Sequence, residues 1–122
     1  MPTTTLRILV ATAVILAGIA ATEAHSVLSQ AVPSVGGVVS APPQEIRLTF
    51  SDAIEPAFSR IQLTTADGKP IGTGAATVDP RNNRQLVLPI PRLAPGRYRV
   101  WWHVVSADTH TLKGDYVFEI RP

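Results

Sequence analysis

Apolar and polar residues alternate with a period of two along several short stretches of the chain. The clearest stretch is residues 45–50, where Ile46, Leu48 and Phe50 alternate with polar side chains. Similar alternation occurs at residues 61–63, before the turn sequence Ala-Asp-Gly-Lys, and at residues 86–90. A period of two predicts β-strands with one buried face, and the turn sequence favours a hairpin.

Two further strands are predicted in the last third of the chain. The first covers residues 97–106 and places four residues on one face (Tyr98, Val100, Trp102, Val104) and four on the other (Arg99, Trp101, His103, Val105). The second covers roughly residues 114–120. The sequence before Tyr98, Leu-x-Pro-Gly-x-Tyr, resembles a tyrosine corner, a stabilising feature of immunoglobulin-like sandwiches.

Proline limits the alternatives to β structure. The chain has 11 prolines, spread so that no long amphipathic helix fits between them. About seven strands separated by Pro/Gly turns predict an all-β fold, an antiparallel, immunoglobulin-like (Greek-key) β-sandwich.

The N-terminal segment has the pattern of a signal peptide. Arg7 precedes an apolar run over residues 8–21, and Thr22, Glu23 and Ala24 follow it. We expect cleavage after Ala24, so that residues 1–24 are removed and residues 25–122 form one mature domain. An uncleaved membrane anchor is the alternative, but the run is shorter than the ~20 apolar residues that span a bilayer, and we expect no stable membrane insertion after processing.

Composition excludes several classes of function. The chain has no cysteine, which excludes disulfides, thiolate metal sites and a cysteine nucleophile. The net charge is +2 and the basic residues are scattered, so no basic tract supports nucleic-acid binding.

Cleavage after Ala24 would make His25 the first residue. Its α-amine and imidazole can chelate one ion together, which suits tetragonal Cu(II) with nitrogen and oxygen ligands. Asp108 and His110 lie two residues apart at the end of a predicted strand, where extended backbone places both on one face. With His25 they would supply three nitrogens and one oxygen; the alternative is an ordinary loop with a capping aspartate.

Over nearly its whole mature length the chain resembles the CopC/PcoC family of periplasmic copper-resistance proteins. The resemblance rests on four segments: His-Ser-Val-Leu at 25–28, Leu-Thr-Phe-Ser-Asp at 48–52, Leu-Ala-Pro-Gly-Arg-Tyr at 93–98, and Trp-His-Val-Val-Ser-Ala-Asp-Thr-His at 102–110 followed by Gly-Asp-Tyr-Val-Phe at 114–118. It implies one Cu(II) per chain, held by His25, Asp108 and His110. Asp52, where some members have glutamate, is then a possible weak axial ligand or an acceptor that orients an N–H donor. The alternative is a strand-end aspartate that binds its own turn.

The resemblance also implies a cellular role. It predicts periplasmic copper carriage or buffering in homeostasis or resistance, together with a CopD-type inner-membrane partner. In a Gram-positive cell the same location would be extracytoplasmic. Some relatives bind Cu(I) through a methionine-rich loop, but the one methionine here is Met1, so we expect a Cu(II)-only protein. We also expect the processed chain to be a monomer.

Two other functions remain open at this point. Lytic polysaccharide monooxygenases also bind copper through an N-terminal histidine on a β-sandwich. Asp108 would occupy the position that such an enzyme leaves open for oxygen, so we expect no enzymatic activity. A metal-free immunoglobulin-like interaction module is the other alternative. The third histidine, His103, lies within a strand and is interpreted as structural.

Overall fold

The computed structural model describes residues 28–122. The predicted signal peptide and the predicted ligand His25 lie outside these residues. Within them, no helix has the length and apolar character needed to cross a bilayer.

Two β-sheets make up the described part of the chain. One sheet has four strands in the order β1-β3-β7-β6, and the other has five in the order β2-β9-β8-β4-β5. All neighbouring strands are antiparallel except β2 and β9. The strands are β1 (Leu28–Val32), β2 (Val38–Val39), β3 (Glu45–Phe50), β4 (Arg60–Thr65), β5 (Pro70–Ile71), β6 (Thr77–Asp79), β7 (Asn82–Pro89), β8 (Gly96–Val105) and β9 (Thr111–Ile120), and one 3-10 turn covers Pro56–Phe58.

The all-β sandwich predicted from the sequence is confirmed, with nine strands rather than about seven. The short strands β2, β5 and β6 have only two or three residues each, too few for an alternating pattern to be recognised. Strand β9 begins at Thr111, three residues before the predicted start, because its first residues pair with the end of β8.

The core forms where the inner faces of the two sheets meet. Strands β3, β7 and β8 alternate between buried and more exposed residues, as the period of two predicts. Both predicted faces of β8 are confirmed, with the Tyr98 face buried and the Arg99 face directed outward. The apolar core consists of Ala31, Ile46, Leu48, Phe50, Ile54, Ile61, Leu63, Leu86, Leu88, Leu93, Tyr98, Val100, Trp102, Val104, Tyr116, Phe118 and Ile120.

Two buried tyrosines tie loops to the core. The hydroxyl of Tyr98 donates a hydrogen bond to the Ala94 carbonyl at 2.6 Å, which confirms the predicted tyrosine corner. The hydroxyl of Tyr116 donates to the Pro33 carbonyl at 2.8 Å, and burial raises the pKa of Tyr116. Each tyrosine therefore satisfies a loop carbonyl while its ring packs in the core.

Candidate metal centre

The loop that connects β8 to β9 carries two of the predicted ligands. This loop, residues 106–110, is closed by two backbone hydrogen bonds, from Ser106 N to the His110 carbonyl and from Thr109 N to the Ser106 carbonyl, both at 2.9 Å. Thr109 has φ 74°, a left-handed conformation that costs energy for a β-branched residue. The loop thus has a definite shape rather than an extended one.

Asp108 and His110 lie side by side in this loop. The distance from His110 Nδ1 to Asp108 Oδ2 is 3.0 Å. The second carboxylate oxygen accepts a hydrogen bond from the hydroxyl of Ser106, which is 2% exposed. The Asp108 and His110 side chains are 56% and 78% exposed, so an ion in solution can reach both.

The surroundings of Asp108 favour its ionised form. The Ser106 hydroxyl, followed by the His110 ring and backbone N–H, holds the pKa of Asp108 below its usual value. The hydroxyl, the ring and the backbone N–H donate hydrogen bonds to the carboxylate, and a positive charge on the ring attracts it, so the ionised form is favoured. A carboxylate that stays ionised is ready to bind a cation without first losing a proton.

The spacing of the two side chains fits a shared ion. Imidazole nitrogen and carboxylate oxygen bind first-row metal ions at about 2.0–2.2 Å, so two such ligands at right angles lie about 2.8–3.1 Å apart. The 3.0 Å between Nδ1 and Oδ2 is within that range. Alternatively, the Nδ1 contact can persist and leave Nε2 for the ion, with Asp108 orienting the ring.

The structure corrects the reason for this proximity. Asp108 and His110 were expected on one face of an extended strand, but β8 ends at Val105 and both residues lie in the turn that follows. They meet because the loop folds back around the Ser106 hydroxyl. Ser106 is not among the predicted site residues, although its position two residues before Asp108 suits a hydroxyl-to-carboxylate contact.

Asp52 lies near this loop but does not join Asp108 and His110 in a common ligand group. It is exposed in the bend after β3, and the next residue, Ala53, accepts a hydrogen bond from Ala107 N at 2.8 Å. Ile54 also forms a bridge with Ser106. Within residues 28–122 no group of three or more His, Cys, Asp or Glu side chains is placed to hold a metal ion, so Asp52 does not complete a triad with Asp108 and His110.

The start of the described chain lies at the same end of the sandwich. Leu28 pairs with Phe50, the residue that leads into the bend at Asp52. His25 is outside the described residues, three positions before Leu28. His103 is half-buried on the outward face of β8, between Arg60 and Lys113, where two neighbouring positive charges disfavour a bound cation.

Comparison with known proteins identifies relatives of this chain. The model of the CopC domain matches residues 28–121. The chain is 38% identical to Protein YobA of Escherichia coli K12 over 99 residues, covering 80% of each chain. It is 36% identical to Copper resistance protein C of Escherichia coli over 105 residues, covering 80% of this chain and 82% of the relative.

A solved structure shares the fold. The crystal structure of CopC from Methylosinus trichosporium OB3b is similar with a TM-score of 0.74 and 37% sequence identity. The match covers 80% of this chain and 95% of the other. The architecture described above is therefore that of a CopC domain.

Proposed function

This chain belongs to the CopC family, and on that basis we propose that it binds one Cu(II) ion for copper carriage or buffering in copper homeostasis or resistance. The observation that carries the proposal is the pairing of Asp108 and His110, whose oxygen and nitrogen lie 3.0 Å apart on an exposed loop. Relatives that bear the name Copper resistance protein C support a role in copper resistance. We assign the site a binding role rather than a catalytic one.

The proposed ligands are the amine and imidazole of His25, the carboxylate of Asp108 and the imidazole of His110. The position of Leu28 supports the inclusion of His25, because Leu28 pairs with Phe50, and Ala53 contacts Ala107 of the loop. Three residues in extended conformation span at most about 10 Å, which sets the reach of His25 from Leu28, the first residue of β1. The donor set, nitrogen and oxygen without sulfur, suits Cu(II).

Asp52 has a secondary role in this proposal. Its carboxylate is exposed beside the segment that contacts the loop, and it makes no hydrogen bond within residues 28–122. We propose that it orients an N–H donor or contacts the ion weakly along the axial direction. The four in-plane positions do not require it.

The cellular part of the proposal follows from processing. Removal of residues 1–24 would place the domain 25–122 in the periplasm and turn the amide of His25 into an amine. The proposal includes a CopD-type inner-membrane protein as partner and a monomeric state for the processed chain. The membrane partner would receive or supply the ion.

Titration of the processed protein with Cu(II) tests this function directly. We expect one ion per chain and a tetragonal EPR spectrum with nitrogen hyperfine splitting. His110→Ala should weaken binding by about 10- to 100-fold because one in-plane nitrogen is lost. His103→Ala is the matched control, since it removes a histidine that faces two cationic residues, and should leave affinity unchanged.

Three results would contradict the proposal. They are the absence of one-to-one binding, an equal loss of affinity in the His103→Ala control, and oxidised sugars formed by the copper-loaded protein with ascorbate and oxygen. The last result would favour the oxidase alternative.

Acid should release the ion with a defined proton dependence. Protons compete with the ion for the amine and for both imidazoles, because each nitrogen must be unprotonated to bind it. The apparent affinity should therefore fall as the pH is lowered, by up to about 1,000-fold per pH unit where all three nitrogens take up a proton. Asp108 adds no proton in this range, because its lowered pKa keeps it ionised until the pH falls below the usual carboxylate range.

Competition titrations between pH 4.5 and pH 6 measure this slope. In His110→Ala the limiting slope should fall from three protons to two, because one imidazole no longer competes. A flat profile, or an unchanged slope in the variant, would remove His110 from the ligand set.

A further inference from the structure

The outward face of the five-stranded sheet carries a row of basic side chains. The register pairs Arg60 of β4 with His103 of β8, and His103 with Lys113 of β9, so the three residues lie directly opposite one another across the sheet. We call them the basic row. Neither Arg60 nor Lys113 forms an ion pair with any residue in 28–122. Arg60 and Lys113 are therefore two positive charges on the same face, two strands apart, with His103 between them.

Two exposed aromatic side chains flank the basic row. The chain has two tryptophans, two tyrosines and three phenylalanines, and all except Trp101 and Phe58 are buried. Trp101 is 43% exposed and Phe58 is 68% exposed. Trp101 lines an open groove of about 380 Å³ on one side of the row, and Phe58 lines a depression of about 480 Å³ on the other; Arg60 and His103 border both.

Trp101 is held in place by its neighbours. The guanidinium of Arg99 lies over the indole at 5.6 Å from the ring centre, and Arg99 is paired with Asp115. This ion pair neutralises Arg99, whereas Arg60 and Lys113 of the basic row have no ion-pair partner within residues 28–122. An aromatic side chain that is ordered before binding loses little conformational entropy when a partner covers it.

We propose that this face docks a partner protein through a segment that carries carboxylates around an apolar side chain. Carboxylates would neutralise Arg60 and Lys113, while the apolar side chain would pack against Trp101. Exposed Trp and Arg residues are the types that dominate binding energy at protein interfaces. The charge complementarity therefore selects an acidic partner.

The docking face adjoins the candidate metal centre. Val105 borders the depression beside Phe58, and β8 passes directly from Val105 into the loop at Ser106. A partner bound here would lie next to Asp108 and His110. A role of this docking face in copper transfer rests on the proposed function, whereas docking of the partner does not involve the ion.

NMR titration of the copper-free, ¹⁵N-labelled protein tests the inference. The probe is a short synthetic peptide with aspartate and glutamate around one leucine, compared with a peptide of the same length that has lysine at the acidic positions. We expect the acidic peptide alone to shift amide signals, and the shifts to be confined to β4, β8, β9 and the 3-10 turn. Added salt should weaken binding, because the charges are exposed and screened.

Matched variants separate this face from general basicity. The double variant Arg60→Glu, Lys113→Glu should weaken binding at least about tenfold. The control Arg84→Glu, Arg92→Glu makes the same charge change at two exposed positions outside β4, β8 and β9 and should bind normally. Trp101→Ala should weaken binding several-fold without changing the charge.

Three results would contradict docking of an acidic segment on this face. They are the absence of shifts at millimolar acidic peptide, equal binding of the peptide to both double variants, and shifts outside β4, β8, β9 and the 3-10 turn. Vesicles of phosphatidylglycerol form a separate arm. Binding to vesicles, but not to the peptide, that is lost in Arg60→Glu, Lys113→Glu would assign the face to a membrane surface instead. Because the protein is copper-free throughout, these outcomes do not depend on the metal centre.

Discussion

One additional residue before His25 should weaken Cu(II) binding by at least about 100-fold, which is about 2.8 kcal/mol at 1.4 kcal/mol per tenfold. The added residue converts the α-amine of His25 into an amide, so the site loses a nitrogen ligand and the chelate ring that this nitrogen closes with the imidazole. Competition with a chromophoric chelator measures the affinity, and intact mass identifies the first residue of each preparation.

Two comparisons make the result specific to the amine. The same residue added after Pro122 should leave affinity unchanged, because the length is identical and the amine is intact. His25→Ala keeps the amine but removes the imidazole, so this variant should lose a similar amount of Cu(II) affinity. Equal affinity in the N-terminally extended and unextended proteins would remove the amine from the ligand set and leave Asp108 and His110 to be explained by another ion.

Gly114→Val should destabilise the fold by about 3 kcal/mol, the upper end of the usual overpacking range. A Cβ at Gly114 would overlap Cζ2 of Trp102, the residue that lies opposite Gly114 in the pairing of β8 with β9. The indole of Trp102 is buried and packs beside Tyr116, with ring centres 6.1 Å apart, so a shift that makes room for the added side chain disturbs the core packing. Urea unfolding followed by tryptophan fluorescence measures the change.

The chain offers a matched control for this substitution. Gly72→Val makes the same change at an exposed glycine with no atom within 4 Å of the added Cβ, and should alter stability by less than about 0.5 kcal/mol. Trp102→Leu in the Gly114→Val background should recover part of the loss, because the two side chains share one space. Full stability of Gly114→Val alone would contradict the packing described here.

Gly114 also matters for the candidate metal centre. The β8–β9 pairing runs from Gly96 opposite Ile120 to Val105 opposite Thr111, and the loop with Asp108 and His110 closes its end. A shift in this pairing would move both residues relative to Ala53 and to Leu28 at the start of β1. We therefore expect Gly114→Val to weaken any copper binding indirectly, with unchanged proton dependence.

The architecture could be predicted from the sequence because its signals are local. Alternation at residues 45–50 and along β8 reports which face is buried without reference to any distant residue, and both predictions are confirmed. The tyrosine corner is also local, since Tyr98 bonds to a carbonyl four residues upstream. The start of β9 was misplaced because residues before Gly114 become a strand only by pairing with β8.

The candidate site also combines features that follow from local sequence with features that depend on long-range contacts. The sequence alone determined the sandwich class, the buried faces of its long strands, and Asp108 and His110 as ligand candidates; His25 stays a prediction. Three features required the folded structure: Asp108 and His110 meet in a closed loop around Ser106, Gly114 accommodates Trp102, and Arg60 and Lys113 share a face with Trp101. The physical reason is that the alternation of buried and exposed side chains depends only on neighbouring residues in the sequence. Strand register and loop closure depend instead on contacts between residues that are far apart in the chain.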